Sequence, residues 1–214
     1  MSLTLYHGSK NRLNGPIRPL SRSVCDFGRA FYLGDSPHQP ETLICDNVSP
    51  HLYTCELDLT DLSVHAFADN LDWAMFVAWN RNRIPTEYRQ FFDAKYAPLV
   101  ATTDVFRGKI ANDRMFVVLG WFFDDFISDA GLVEALGVLN LGNQYACISE
   151  KACRQVTVVE DRVLTPQACE ILRNRAMNQR EYAMGAVDRI RRFHRRNGRF
   201  FSEILEDETA GGRV

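Results

Sequence analysis

Near the start of the chain, two short β-favouring runs, residues 3–6 and 30–33, each lead into glycine. Tyr6-His7-Gly8-Ser9 closes the first, and Gly28 and Gly34 bracket the second, which reads Ala30-Phe31-Tyr32-Leu33. A strand that stops at glycine lets backbone lie close against a neighbour or a ligand, because no Cβ stands in the way. His7 would stand at the exit of the first strand and Tyr32 within the second. A ring that both donates and accepts hydrogen bonds, beside an aromatic face, suits a ribose and a flat heteroaromatic ring. Taken singly, a strand-end histidine is more often a satisfied loop residue, and a strand tyrosine more often core.

A third run, Asn143-Gln144-Tyr145-Ala146-Cys147-Ile148, reads as a strand stopped by Ser149, whose hydroxyl would cap a turn over residues 150–154. The three segments together resemble the ADP-ribosyltransferase superfamily of the diphtheria-toxin and poly-ADP-ribose-polymerase type. The likeness lies in His7-Gly8-Ser9 after an apolar strand, in Phe27-Gly28 followed by Tyr32 and Asp35, and in Asn143-Gln144-Tyr145. It is closer still to a bacterial family of domains of unknown function usually grouped with those enzymes, and Ala111-Asn112-Asp113 extends it.

The resemblance implies an α+β fold of split antiparallel sheets with surrounding helices and a cleft for NAD. That domain would occupy residues 1–163. A helical, basic extension with an acidic, disordered end would follow over residues 164–214. The resemblance further implies NAD as substrate, with ADP-ribose passed to a protein or other acceptor and nicotinamide released. His7 would bond a hydroxyl of the adenosine-side ribose, and the Gly8 backbone and Ser9 hydroxyl would hold the nicotinamide carboxamide. Tyr32 would stack on the nicotinamide ring, and Gln144 would stand at the third catalytic position.

Gln144 departs from that pattern, which places glutamate there. Cleavage of the nicotinamide–ribose bond passes through an oxocarbenium-like transition state, as glycoside hydrolysis does. Glutamine supplies a hydrogen bond but no charge. Loss of one preorganised electrostatic contact costs on the order of 10²–10³ in rate. Three readings stay open: slow, single-turn transfer with an acidic acceptor side chain adding the charge; Glu150 or Asp35 acting instead; or NAD or ADP-ribose bound without turnover.

Composition bounds the alternatives. At 214 residues, 46% apolar and 24% charged, the chain suits one domain with a real core. A net charge of −2 argues against a wholesale polyanion binder. No run approaches the ~18–20 apolar residues of a membrane span, and the first residues lack a basic-then-apolar leader. The expectation is a cytoplasmic protein, or an effector delivered without such a leader, and no membrane partner. Cys25, Cys45, Cys55, Cys147, Cys153 and Cys169 show no C-x-x-C spacing, which favours free thiols and no metal site. Cys25, in a polar loop, is the one expected to be exposed.

In the loop before the second run, Arg18 and Arg22 could meet a pyrophosphate through paired guanidinium bonds, although solvated arginines are commoner. Farther on, the sequence reads as a helix over 36–47, strands over 51–59 and 63–67, and a buried helix over 70–81 holding Trp73 and Trp79. A loop over 82–92 and a strand over 96–105 follow. Asn112 or Asp113 would cap a buried helix, and 132–139 would form another. A strand over 155–159 precedes a long helix, started by Thr165-Pro166 and interrupted at Gly185. Arg189, Arg191, Arg192, His194, Arg195, Arg196 and Arg199 make a basic run. A runner-up reading therefore gives this run to nucleic acid or an acidic partner. A solvated or internally paired face is the plainer account of it.

Overall fold

The computed structural model of the protein describes residues 1–110, 113–139, 142–194 and 197–211. Ala111, Asn112, residues 140–141, Arg195, Arg196 and residues 212–214 lie outside the described residues. Among the described residues there are seven strands: β1 Ser2–Ser9, β2 Phe31–Gly34, β3 His51–Asp58, β4 Val64–Ala66, β5 Val105–Lys109, β6 Asn143–Cys147 and β7 Val156–Val163. They form one sheet in the order β4-β5-β6-β2-β1-β3-β7, antiparallel throughout except for the β4–β5 pair. The fold is α+β with a mostly antiparallel sheet. Its middle is thinly joined. β1 pairs with β3 along its whole length, whereas β1 and β2 share the single pair Tyr6↔Gly34.

Cross-strand partners point to the same side of a sheet, and alternate residues of one strand share a face. The register Tyr6↔Gly34↔Gln144↔Gly108 and the row Tyr32↔Ala146↔Phe106 therefore place Tyr6, Gly8, Tyr32, Gly34 and Gln144 on one face. His7 falls on the other, with Phe31 and Tyr53.

The first face is covered by two separate groups of helices. Over β1 and β3 lie α1 (His38–Ile44) and the start of α7 (Pro166–Phe193), where Ile44, Cys45, Leu52, Leu164 and Cys169 form a small apolar cluster. Over β5 and β6 lies the main core, with Trp73, Phe76, Phe92, Tyr96, Phe106, Leu119 and Phe122 at its heart. It is built from α2 (Leu71–Asn80), α3 (Thr86–Thr102), α4 (Asp113–Phe123) and α5 (Asp129–Leu139). The rest of α7 and α8 (Phe201–Gly211) add Val187, Ile190, Phe201, Ile204 and Leu205 to the same core. On the opposite face, short α6 (Glu150–Arg154) packs over Leu5, Phe31, Leu33, Cys55 and Cys147. Among the described residues, none covers the strip of sheet between the two helical groups at the β1–β2 junction.

Several local readings hold for the reasons given. Ser149 caps α6 through Ala152, and Thr165 caps α7 through Ala168. Asn70, which was not singled out in the sequence, caps α2 by accepting from the Trp73 N–H. Trp73 is core, as its spacing indicates. Others need correction. Residues 82–92 are not a loop, nor is 96–105 a strand, because most of that span is the single helix α3. Tyr88, Phe91, Phe92, Tyr96, Leu99 and Val100 recur at helical spacing and all pack on the core. Pro98 stays inside the helix, and the hydroxyls of Thr102 and Thr103 donate to carbonyls of its last turn. Gly185 does not interrupt α7, which runs through it. Residues 201–211, read as part of an acidic tail, are helical because Phe201, Ile204 and Leu205 lie on one side and are buried.

Among the described residues no helix is long and apolar enough to cross a membrane. The acidic cluster around Phe126 serves the fold: Asp124 pairs with Arg83, Asp125 accepts from the Ser202 N–H, and Asp129 pairs with Arg199.

Candidate functional site

The uncovered strip forms the floor of a cleft of about 830 Å³. Tyr6, Gly8, Tyr32, Gly34 and Gln144 line it from the sheet, and Gln39, Pro40 and Leu43 from α1. Ser9, Lys10 and Asn11 line it where β1 ends, as do Ser21, Arg22, Cys25 and Asp26 from the loop before β2. Arg81, just past α2, completes it. Four residues singled out from the sequence, Gly8, Ser9, Tyr32 and Gln144, thus meet in one place. Of the two loop arginines, Arg22 lines this cleft. Arg18 lines a neighbouring cavity of about 300 Å³ beneath the loop.

His7 does not line the main cleft. Its side chain is on the opposite face and borders the smaller cavity, which shares Leu20, Ser21 and Tyr32 with the larger one. The imidazole stacks on Phe31 with centroids 4.2 Å apart, and its Nδ1 lies 2.7 Å from the Tyr32 carbonyl oxygen. A carbonyl only accepts, so Nδ1 carries the proton, and in the neutral ring Nε2 is left as an acceptor. Where the β1–β2 ladder stops after one pair, this side-chain bond continues the tie between the strands. The histidine therefore has a structural job and, on its other nitrogen, a free chemical function.

Burial holds the His7 pKa below its ordinary value of 6.5, opposed in part by the bond to Tyr32. The unfolded chain then takes up a proton, below pH about 6.5, that the folded chain resists. His7 contributes stability fully above that pH, and the contribution is lost as pH falls toward the folded pKa. Denaturation midpoints measured from about pH 7 to about pH 5 should fall in the wild type, with a slope from this group of at most ~1.4 kcal/mol per pH unit. His7→Asn, whose amide can still donate to Tyr32, should lack that component. Parallel pH profiles for the two proteins would contradict this account.

Tyr32 is held at its hydroxyl. It donates to the Gly28 carbonyl at 2.7 Å and accepts from the Phe27 N–H at 3.0 Å. Burial, and then the charge of Asp26, push its phenol well above the usual tyrosine range, so it stays protonated. One part of the ring packs on the main core while another borders the cleft. Gly28, at φ +73°, makes the turn that brings its carbonyl to that hydroxyl. Gly8 is accounted for by packing, because α1 lies directly against it.

Two residues of the site were not singled out in the sequence. Asp26, 6% exposed, accepts from Arg81 through Nε at 2.8 Å and Nη2 at 2.5 Å, both on Oδ1. Its Oδ2 accepts from Gln144 Nε2 at 2.8 Å, and the same nitrogen donates to the Lys109 carbonyl at 3.0 Å. Asp26 is the sole carboxylate among the described lining residues, against Lys10, Arg22 and Arg81. Neither Asp35 nor Glu150 borders the cleft. Asp35 accepts from the backbone and side chain of Asn143, and Glu150 faces Arg154 on α6. Position 26 adjoined a segment already noted, Phe27-Gly28, but nothing in the sequence ties it to Arg81.

Cys25 is half-buried in the cleft wall and the other five thiols are buried, so the expected contrast in exposure is present. In the basic run, Arg191 and Arg192 pair with Asp188, Arg199 pairs with Asp129 and Asp207, and His194 bonds Glu134. Much of that charge is therefore matched within the chain.

No curated protein and no solved structure matches the chain. A family model described as protein of unknown function (DUF3990) matches residues 3–158, well over half of the chain, and the chain belongs to that family.

Proposed function

We propose that the chain binds NAD in the cleft at the β1–β2 junction and acts as a mono-ADP-ribosyltransferase-like protein. The observation that carries this reading is the cleft itself, whose lining brings Gly8, Ser9, Tyr32 and Gln144 together, while His7 borders the adjoining smaller cavity with Nε2 left as an acceptor. Hydroxyl acceptors next to an exposed aromatic edge suit a ribosylated ring. Lys10 and Arg22 at the rim outnumber the acidic groups there and suit a pyrophosphate. The near-severed sheet also agrees with the split-sheet arrangement that the resemblance implies.

In the reaction proposed, the bond between nicotinamide and ribose C1′ breaks and nicotinamide leaves with the bonding electrons. An acceptor nucleophile forms the new bond at C1′ and loses a proton. The chain's own contribution is to hold the two riboses and seat the ring against Tyr32.

A second reading has one observation in its favour. The cleft's carboxylate, Asp26, is already paired with Arg81, so little uncompensated negative charge is available to a cationic transition state. NAD or ADP-ribose would then be bound without turnover.

Both readings are tested with purified protein and NAD, following nicotinamide release, adduct mass on the protein or on added lysate, and binding by calorimetry. Release that falls at least ~10-fold in His7→Asn, with the fold intact, is expected for a transferase. Binding that weakens in the same variant without any release would select the second reading. Neither binding nor release in the wild type would sink the NAD assignment.

A further inference from the structure

Resting on that reading, we propose that Asp26 is a positioning residue: it locks the Gln144 amide with Oε1 as the free acceptor, so that this position recognises a ligand hydroxyl. A glutamine amide has one accepting oxygen and one nitrogen with two protons. Here the nitrogen meets two groups, the Asp26 carboxylate at 2.8 Å and the Lys109 carbonyl at 3.0 Å. Both only accept. Turning the amide over would set oxygen against oxygen at both contacts, so a single orientation is allowed. Both protons are engaged in it, and Oε1 is the polar atom left for the cleft that Gln144 lines.

Asp26 can impose this because it cannot turn itself. It is 6% exposed, and Arg81 grips Oδ1 with two nitrogens, which leaves Oδ2 for Gln144. The guanidinium also matches the carboxylate's charge. What reaches the ligand through Gln144 is direction: an acceptor where the enzymes that the chain resembles have a glutamate oxygen, but a neutral one. A hydroxyl of the nicotinamide-side ribose can donate to it, whereas a ligand offering only ether or carbonyl oxygen there is rejected.

The arrangement makes an uncommon prediction about two individually mild substitutions. In Asp26→Asn, the new amide keeps its oxygen on Arg81 and turns its nitrogen toward Gln144, donor against donor. Gln144 then either reverses, with Oε1 against the Lys109 carbonyl, or leaves both partners, and in each case the fixed acceptor facing the cleft is lost. In Gln144→Glu, two carboxylate oxygens meet at hydrogen-bond distance. With both changes together, the introduced asparagine donates to the introduced glutamate, which offsets the contact of that oxygen with the Lys109 carbonyl, and the second oxygen faces the ligand as an acceptor again.

The experiment measures NAD affinity by calorimetry for the wild type, the two single variants and the double variant, with melting curves to confirm folding. A check that needs no ligand is the side-chain amide signal of Gln144 by NMR. Each single variant should bind NAD about 10-fold or more weakly, and the double variant should recover most of the loss. A role confined to stability would not restore binding in the double variant. If the wild type binds NAD and Asp26→Asn binds it equally well, the positioning role is wrong while the NAD reading stands. If the wild type does not bind NAD, that reading fails and the amide signal decides the orientation alone. Slow proton exchange with water at both Gln144 amide protons would support the lock, and fast exchange in the wild type would overturn it even if no variant folds.

Discussion

Replacing Arg81 by methionine is expected to destabilise the protein by about 3 kcal/mol, read as a lower urea midpoint at an unchanged slope. Asp26 is buried, and Arg81 is the cation that meets it, with a side chain 25% exposed. Removing one member of a buried pair leaves the other charge desolvated and uncompensated, at a typical cost of ~3–5 kcal/mol. The partial exposure of Arg81 lets water reach the vacated space, which puts the expectation at the lower end. Methionine keeps much of the aliphatic stem, so lost packing adds little.

The pair also makes a sharper comparison available. Changing Arg81 to methionine and Asp26 to asparagine together removes both charges and should recover much of the stability, because a neutral amide costs far less to bury than a carboxylate. If the single Arg81→Met change costs under ~1 kcal/mol, the contact behaves as a surface pair, and the clamp on Asp26 is not holding the site. The double variant would then have nothing to recover. The measurement thus separates what Arg81 does for the fold from what it does for any ligand, since no ligand is needed.

The sequence read well wherever a side chain's environment follows from its immediate neighbours. Period-two alternation located β3, and the cap residues Ser149 and Thr165 each start the helix assigned to them. Gly8, Tyr32 and Gln144 were grouped by the resemblance alone, and the pairing of three short strands is what sets them on one face. It failed at α3, where Pro85 suggested a break and a β-favouring stretch hid the stripe from Tyr88 to Val100. There tertiary burial of six apolar side chains overrode local preference. The chemistry of the site was legible only in part. His7 was identified, but not that its ring is occupied on one nitrogen and sits behind the sheet from Gln144. Asp26 and Arg81 are 55 positions apart, and their meeting depends on the Gly28 turn and the Tyr32 hydroxyl, neither of which leaves a periodic trace. The carboxylates weighed from the sequence, Asp35 and Glu150, lie close to the motifs in the chain but do not line the cleft.

Gly8→Ala should cost about 1–3 kcal/mol, the range for forcing extra volume into a close-packed contact. A Cβ at this position would lie 2.7 Å from the Pro40 carbonyl oxygen and 3.0 Å from Ile44 Cγ2. The first contact is with helix backbone and the second with a side chain 2% exposed, so no rotamer change relieves them. α1 must move outward, against its packing on Leu52, Leu164 and Cys169. Gln39, Pro40 and Leu43 of that helix form one wall of the cleft, so the same shift should reshape the site and weaken NAD binding. Gly185→Ala is the matched control. It lies within α7 with no neighbour in reach of a new Cβ, and helix propensity alone should raise stability by ~0.5–1 kcal/mol. Melting temperatures moving in opposite directions would show that the glycine after His7 is fixed by the seat of α1. A Gly8→Ala protein with unchanged stability but impaired binding would instead assign that glycine to the ligand's approach, and α1 would have to be more yielding than its buried contacts imply.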